Sequence, residues 1–450
     1  MVMAVSDNTV KARPTKAFFI EMITRDLGLT DCILDLVDNA IDHAVARAAA
    51  DVMAVLTDGG KSNRLEGASI AIEFSNEEFV IRDTCGGISV DDARTKVFMF
   101  GNPDDKSTPG GLSVFGIGMK RGFFKLGHHI SMLSHTANDW FSIEIDVRAW
   151  QEKGDDDWDF TLKESGTRKV GDGRGPEGTS IRITDLRNEV KERLEHTSFT
   201  KDLVARLSAT YALFITSGLV ITVQGVPVLA ALPALGTYDK VTPARRIVER
   251  DHVQILIVAG LTSADDKIAR GWYVFCNGRM ILEADKSRLT GWGEGSAPQW
   301  HTKYRRFVGY AYFRSDDVRS LPWTTTKQGV VYESPVYQTA LSEMAVQGRP
   351  ILTFLNNVYP GEQEAEGVPE RELLAQVRSV PITQVPRQQS IFKVDLEELK
   401  RNQENVLMNV QYKKSVKELE RVRRCLKSPG LPATKIGEYT FDYFVKQECE

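Results

Sequence analysis

The chain has 450 residues, of which 42% are hydrophobic and 26% are charged, and its formal net charge is −4. This length exceeds what one hydrophobic core usually supports, so we expect about two or three globular domains. The small negative charge excludes a chain that is basic overall, although a local basic groove would still allow contact with nucleic acid.

The cysteines and the apolar segments predict the cellular compartment of the protein. The five cysteines lack metal-ligand spacing, and their odd number argues against a disulfide framework. The N-terminus has no apolar core typical of a signal peptide. The longest apolar stretch, residues 211–223, is interrupted and too short to span a bilayer. We therefore expect a cytoplasmic protein, or a nucleoplasmic one in a eukaryote, without a membrane partner.

Hydrophobic periodicity and turn residues predict the elements of the first half of the chain. In chain order these are a helix at 18–50, a hairpin from 68–74 and 79–83, a mobile loop at 100–111, a helix from Gly116 past Phe124, strands at 130–134 and 141–147, a charged insertion at 151–177, a strand at 180–184, and a helix at 191–214.

The pattern changes near residues 232–236, where we place a domain boundary. The elements expected beyond it are strands at 254–258 and 272–276, an Asn277-Gly278 turn, a segment ending at 324–329, a polar connection from Pro350 to Gln389, and one long charged helix at 394–427. The predicted domains are therefore 1–235, 236–350 and 351–450, the last being a linker followed by the long helix.

The first helix offers ligands for a metal and a water. Asp35 and Asn39 are four residues apart, so they lie one above the other on the same side of the helix. An amide oxygen suits Mg²⁺, which prefers oxygen ligands and bridges phosphates. The carboxylate one turn away can act as a general base toward an attacking water. Taken alone, this segment has a solvated helix face as its alternative, which is what acidic residues on helices usually form.

A second segment offers contacts for a base. Asp83 ends a strand, and its carboxylate can accept a hydrogen bond from an exocyclic amine. The glycines that follow, including Gly87, allow a ring to approach the backbone closely. The alternative for this segment is an ordinary Asp–Gly turn.

A third segment offers contacts for phosphate. Gly116 and Gly118 open a helix, where backbone amides and the positive end of the dipole favour an anion. Lys120 or Arg121 adds positive charge. A single glycine cluster of this kind is not specific.

Together with residues 178–180, these segments resemble the four boxes of the GHKL (Bergerat-fold) ATPase superfamily. That superfamily includes gyrase B subunits, MutL proteins, heat-shock chaperones of the ninety-kilodalton class, sensor histidine kinases and Microrchidia (MORC) ATPases. The resemblance covers residues 15–225 and is greatest to MORC-like members, through residues 115–127. It implies an α+β fold in which a Bergerat-type α/β sandwich ATPase domain precedes a small α/β transducer domain and a helical C-terminal region.

The resemblance also implies ATP and Mg²⁺ as cofactors and a role for each residue. These roles are Mg²⁺ ligand for Asn39, adenine contact for Asp83, space at the base for Gly87, water-mediated adenine contact for Thr179, phosphate contacts for Gly116, Gly118 and Lys120, and a lid at 100–112. Residues 323–328 resemble a transducer loop whose lysine, here Lys327, reaches the terminal phosphate. A surface lysine on a threonine-rich strand is the alternative.

Two positions depart from the pattern of the superfamily. The general base is usually Glu, whereas this chain has Asp35, which is shorter by one methylene group, roughly 1.5 Å. A misplacement of about 1 Å can cost about a hundredfold in rate, so slow hydrolysis is expected. Cys85 stands where the first glycine of its box is common, and Gly86 beside it can restore the turn.

The leading hypothesis is an ATPase that acts as an ATP-gated switch or clamp. Mg-ATP would order the lid, the lid and Lys327 would favour a homodimer, and hydrolysis would reset it. For MORC and MutL relatives the resemblance also implies action on DNA, for which the candidate contacts are the basic groups at 245–246, 303–306 and 421–424.

The alternative is a nucleotide-gated interaction or chaperone-like module with little or no hydrolysis, which would bind a protein partner through its C-terminal helix. Asp35 is the residue that favours it. A histidine kinase is disfavoured because the predicted C-terminal helix contains no histidine to accept phosphate.

Overall fold

The computed structural model describes most of the chain as a mixed α+β fold, which confirms the α+β part of the predicted fold class. The predicted arrangement of a Bergerat-type sandwich, a transducer domain and a helical C-terminal region stays a prediction. The described residues are 14–57, 64–101, 108–114, 116–154, 156–169, 175–237, 239–264, 268–295, 297–359, 369–395 and 413–449. The chain divides into two compact units, Met1–Glu397 and Glu398–Glu450.

The first sheet of the larger unit has eight strands in the order β5-β4-β3-β6-β2-β1-β7-β8. The strands are β1 Ser69–Phe74, β2 Glu78–Asp83, β3 Gly127–His135, β4 Asp139–Asp146, β5 Leu162–Thr167, β6 Gly178–Leu186, β7 Val220–Val223 and β8 Val226–Pro227. Neighbouring strands are antiparallel, except that β1 and β7 run parallel. The predicted hairpin is confirmed as β1 and β2, and β5 lies inside the stretch expected to be a charged insertion.

Helices precede, interrupt and follow this sheet. In the larger unit they are α1 Lys16–Thr24, α2 Leu29–Ala48, α3 Ala54–Thr57, α4 Val90–Asp92, α5 Gly118–Leu126, α6 Val147–Glu152, α7 Asn188–Glu195, α8 Phe199–Thr210, α9 Ala212–Thr216, α10 Pro335–Val358 and α11 Pro369–Gln376. Helix α2 packs against α5, and α5 packs against β3 and β6. The close approach depends on Gly122, where an added Cβ would lie 2.9 Å from the Leu36 side chain.

Two of the predicted helices are divided. The helix expected at 18–50 is two helices, because Gly28 takes an extended conformation and caps the start of α2. The helix expected at 191–214 is three shorter ones, α7 to α9, with Tyr211 outside helical geometry between the last two. The helix that carries Asp35 and Asn39 is nevertheless continuous from Leu29 to Ala48.

The second sheet has seven strands, with β14-β13-β15-β12-β9-β16 in order and β11 paired to β12. Its strands and the small β10–β17 pair are β9 Ala234–Thr237, β10 Val241–Thr242, β11 Ala244–Arg250, β12 Val253–Leu261, β13 Gly271–Cys276, β14 Arg279–Asp285, β15 Phe307–Arg314, β16 Arg378–Pro381 and β17 Lys393–Val394. The sheets change between β8 and β9, near the predicted boundary, and both lie in one unit. The division into domains stays a prediction.

The Asn277-Gly278 turn is confirmed, and it joins β13 to β14. Both residues have positive φ, 46° and 87°, as a two-residue hairpin turn of this type requires. A Cβ added at Gly278 would stand 2.5 Å from Val52, in the turn between α2 and α3, and 3.3 Å from Phe214 of α9. Asn277 donates from Nδ2 to the carbonyl of Gly111, 3.0 Å away. The hairpin tip is therefore seated in the part of the unit built around the first sheet.

The polar connection expected from Pro350 is wrong at its start, because α10 continues through Pro350 to Val358. A proline inside a helix costs about 3 kcal/mol. Burial of Met344, Ile351 and Leu355, with α10 packed on the second sheet, offsets that cost. Farther on, β16 belongs to this sheet as well.

The single helix expected at 394–427 is also wrong. Val394 belongs to β17, and residues 396–412 of the prediction lie outside the described residues. In the smaller unit a new helix spans Val416–Cys425. Its N-cap is Ser415, whose side chain forms a capping box with Glu418. A second helix, Ala433–Phe444, follows it. No helix within the described part of the chain combines the length and hydropathy needed to span a bilayer.

A close backbone contact between the β2 end and β3 gives a stability prediction. Gly87 has a φ of +70°, and a Cβ there would lie 1.9 Å from the carbonyl oxygen of His135. Gly87→Ala should lower the free energy of unfolding by about 3 kcal/mol or more, from backbone strain and overpacking together. Urea unfolding measures the change.

Gly225→Ala is the matched control, because Gly225 also has positive φ, +76°, but a Cβ added there would meet no heavy atom of the described residues within 4 Å. It should cost about 1 kcal/mol from strain alone. Equal losses of unfolding free energy in the two variants would contradict the prediction, because they would show that the backbone of β3 can shift away from an added Cβ at little cost.

Candidate nucleotide site

Helix α2 carries three acidic residues into the protein interior. Asp35 and Asp38 are 5% and 0% exposed, and Asp42 is also buried. Acidic side chains are rarely buried unless they have partners, so each must be compensated locally. The solvated helix face considered from the sequence is therefore wrong for these residues.

Asn39 and Asp42 connect α2 to the segment that follows the predicted lid. The Ser113 hydroxyl donates to Asn39 Oδ1 at 3.1 Å, while Asp42 accepts from the backbone N–H groups of Leu112 and Ser113 at 2.5 and 2.9 Å. Burial raises the pKa of Asp42 to about 6. Residues 102–107 of the predicted lid lie outside the described residues.

Asn39 fits the role of a Mg²⁺ ligand. Its Nδ2 is buried and has no partner among the described residues. Rotating the amide by 180° would exchange nitrogen and oxygen and leave the oxygen free, since Ser113 can accept as well as donate. An oxygen ligand of this kind, completed by phosphates and waters, is what Mg²⁺ prefers.

Asp83 and Thr179 are brought together by neighbouring strands. In the β2–β6 ladder Arg82 lies opposite Ser180, so Asp83 at the end of β2 lies next to Thr179. Asp83 is half-buried and accepts from the Cys85 N–H at 2.9 Å. Burial raises the pKa of Asp83, against the opposing effect of this hydrogen bond and of nearby His43. The turn after β2 and the predicted base contact thus involve the same carboxylate.

The glycine segment lies beside Asp35. Gly116 has a φ of +61°, and Gly118 begins α5, so close to α2 that an added Cβ would lie 3.4 Å from Asp35 Cβ and Cγ. Phe115 lies outside the described residues. The backbone amides at the start of α5 and the carboxylate of Asp35 are therefore neighbours.

Lys120 points to a different neighbour from the one its predicted role requires. It is buried, and its Nζ donates to the carbonyl of Val97 at 2.8 Å. Burial lowers the pKa of Lys120 to about 7. A phosphate contact would require the side chain to leave Val97.

Arg121, rather than Lys120, is the cation next to Asp35. Its Nη1 lies 4.0 Å from Asp35 Oδ2 and donates to the carbonyl of Thr325 at 3.1 Å. Arg121 thus connects the start of α5 to the loop that contains Lys327.

Lys327 is buried in the structure, so the alternative of a surface lysine on a strand is wrong. The residue is 6% exposed, and its φ is +55° in a turn between residues 324 and 329. Its Nζ lies 2.7 Å from Asp38 Oδ2. Lys327, which is predicted to contact phosphate, therefore reaches α2, the helix that carries Asp35 and Asn39.

Sequence reasoning missed the partners that surround Asp38. Arg279 Nε lies 2.9 and 3.1 Å from the two Asp38 carboxylate oxygens, and the Tyr211 hydroxyl donates to Oδ1 at 2.7 Å. The one local signal was a charged residue set among the apolar residues of α2, which requires a buried partner. That signal does not name the partner.

The same cations act differently on the two carboxylates. Burial would raise the pKa of Asp38, but Arg279 and Lys327 outweigh it and hold that pKa below its usual value. For Asp35 burial prevails over Lys327 and raises the pKa. Asp38 is therefore a firmly ionised anchor, whereas Asp35 exchanges a proton more readily.

Two of the basic residues proposed for DNA contact are internal. Arg245 is buried and donates to the carbonyls of Arg387 and Leu56. Arg306 is buried and donates to the carbonyls of Thr262 and Leu374. The prediction that these two side chains contact nucleic-acid phosphates is wrong, because both are committed to the protein backbone.

The buried Lys120 gives a pH prediction. Between about pH 7 and 10 the unfolded chain keeps the lysine proton while the folded protein releases it, so the unfolded state binds more protons and stability should rise with pH. In Lys120→Met this rise should be smaller, as measured by urea unfolding across that range. Lys125→Met, on the same helix, is the control for loss of a lysine, and a wild-type slope in Lys120→Met would refute the assignment.

A comparison with protein families gives a match to part of the chain. Residues 28–170 match the family described as "Histidine kinase-, DNA gyrase B-, and HSP90-like ATPase". A comparison with curated proteins gave no match. The matched residues make up less than half of the chain and contain both Asp35 and Asp83 but neither Thr179 nor Lys327. The match supports a GHKL-type ATPase domain, and hence ATP binding, in this part of the chain.

Proposed function

We propose that the chain is a Mg²⁺-dependent ATPase whose bound nucleotide switches it between monomer and homodimer. The observation that carries the proposal is that Asp35 lies beside the start of α5, while Arg121 and Lys327 connect α5 and α2 to the loop at 324–329. A base, a helix start that can bind phosphate and a nearby cation are what hydrolysis of a terminal phosphate requires. The family match over residues 28–170 supports the same reaction class.

The nucleotide would lie between the β2 end and the start of α5. Asp83, with Thr179 beside it, would accept a hydrogen bond from the adenine amine. The backbone amides at Gly116 and Gly118 would hold the phosphates, and Asn39 would hold Mg²⁺. When bound, Mg²⁺ would neutralise charge on the phosphates and act as a Lewis acid.

In the proposed reaction Asp35 accepts a proton from the attacking water as that water's oxygen bonds to the terminal phosphorus. The bond to the bridging oxygen breaks, and ADP leaves with the electron pair. Lys327 offsets the charge on the terminal phosphate. Because burial raises the pKa of Asp35, hydrolysis should fall at acid pH as this base becomes protonated.

The switch would depend on contacts that cross between the two sheets. Arg121 and Lys327 connect α5 and α2 to the loop after β15, so a ligand at the start of α5 changes the surroundings of both. Asp42 ties residues 112–113 to α2 at the end of the predicted lid. MORC-like specificity and action on DNA are not part of this proposal.

The second candidate is a nucleotide-gated interaction module with little hydrolysis. The observation that favours it is the short side chain of Asp35 together with its neighbour Arg121, 4.0 Å away, which competes with water for the carboxylate. Binding and dimerisation are common to both candidates, so turnover separates them.

Asp83→Asn tests nucleotide binding. The amide oxygen can still accept from the Cys85 N–H, but the charged acceptor for adenine is lost, so ATP affinity should fall by about 10- to 100-fold. Calorimetry with ATP and Mg²⁺ measures the affinity. Light scattering on the same samples should find a doubled mass for the wild type but not for Asp83→Asn.

Asp146→Asn is the matched control, since Asp146 likewise accepts from a backbone N–H, that of Ala149, at the start of α6. It should bind ATP as the wild type does. Unchanged affinity in Asp83→Asn would eliminate the proposed adenine site.

Asp35→Asn tests turnover. The variant keeps the size of the side chain but cannot accept the proton, so hydrolysis should fall by about 100-fold or more while ATP affinity changes little. Phosphate release under saturating Mg-ATP measures the rate. If wild type and Asp35→Asn turn over at the same negligible rate, the interaction module replaces the ATPase.

A further inference from the structure

Asp38 has more partners than a buried carboxylate needs. Arg279 Nε contacts both of its oxygens, the Tyr211 hydroxyl contacts one, and Lys327 Nζ contacts the other at 2.7 Å. Arg279 alone supplies a full positive charge. The ion pair of Asp38 with Arg279 is complete without Lys327.

The surplus partner is also the one whose departure costs least. If Arg279 left, Asp38 would still need a cation, and Lys327 would have to stay. If Lys327 leaves, Asp38 keeps its charge partner and two of its three hydrogen-bond donors. Removing one cation from a buried carboxylate costs much less stability when a second cation still pairs with it than when the charge is left unpaired.

The main chain of Lys327 has a separate support. Arg279 Nη1 donates to the Lys327 carbonyl at 2.9 Å. Lys327 has a φ of +55°, which disfavours a residue with a side chain unless its surroundings hold it. The same guanidinium therefore holds the backbone of Lys327 and the carboxylate on which its ammonium rests.

We propose that Arg279 is a positioning residue for Lys327. It keeps Asp38 compensated and holds the Lys327 backbone, so that the Lys327 ammonium can move from Asp38 to the terminal phosphate of ATP. This inference rests on the proposed function, because it requires ATP at the start of α5. It adds that, as long as Asp38 is ionised, Lys327 responds to the terminal phosphate only if Arg279 compensates that carboxylate.

The test compares ATP with ADP affinity in the presence of Mg²⁺, measured by calorimetry on the full chain. Wild type should prefer ATP by about tenfold or more, and Lys327→Met should lose this preference. Arg279→Met should lose it to a similar extent, because the Lys327 ammonium stays on the otherwise unpaired Asp38.

The double variant Asp38→Asn with Arg279→Met separates positioning from structure. It removes both buried charges, and the neutral amide no longer holds the ammonium, so most of the preference for ATP should return. A merely structural role of Arg279 would not be rescued in this way. Arg245→Met, which removes another buried arginine of the second sheet, should keep the wild-type preference.

Each outcome decides the inference. A wild-type preference in Arg279→Met, or no recovery in the double variant, would overturn it. If Arg279→Met does not fold, Asp38→Asn decides: a preference at least equal to wild type supports the inference, and a fall to the Lys327→Met value refutes it. Wild type that binds neither nucleotide would overturn the proposed function and this inference together, whereas a Lys327-dependent preference that survives Arg279→Met would overturn this inference alone.

Discussion

A fully buried carboxylate on α2 is the constraint on which the arrangement of the larger unit depends. Asp38 has no access to water, so its charge must be met inside the protein. The cations that meet it, Arg279 at the start of β14 and Lys327 after β15, both come from the part of the chain built around the second sheet. The two sheets are therefore joined by a contact that neither part could leave unpaired. This agrees with a single compact unit from Met1 to Glu397.

The magnitude of that contact explains why site and fold are linked here. Breaking one partner out of a buried ion pair costs about 3–5 kcal/mol, whereas the whole stability of a typical domain is about 5–15 kcal/mol. The same contact brings Lys327 to the helix that carries Asp35 and Asn39. The Lys327 ammonium is thus placed beside α2 when the protein folds. Arg121 adds a second connection between the two parts through the carbonyl of Thr325.

Features fixed by short-range physics could be predicted from the sequence, and features fixed by distant contacts could not. The β1–β2 hairpin and the Asn277-Gly278 turn follow from alternation and from residues that accept positive φ. The common helix of Asp35 and Asn39 follows from spacing alone.

The failures have a common cause. The pairing of Asp38 with Lys327 joins residues 289 positions apart, and no local pattern announces it. The glycines beside Lys120 predict a phosphate contact, yet its amine is buried and donates to the carbonyl of Val97. At Pro350 the cause is again distant, because packing on the second sheet carries α10 through the proline. Ser415 is the exception: its capping box with Glu418 is a local signal, and it starts a helix where a continuous helix was expected. The nucleotide roles themselves stay predictions.

The seated turn at residues 277–278 limits how the two sheets can move. With no room for even a methyl group between Gly278 and Val52, any sliding of one sheet past the other would drive the hairpin tip into Val52 or Phe214. Rotation about the tip displaces it least. Motion transmitted through this unit would then be angular, smallest beside the tip and larger toward Asp285 at the far end of β14.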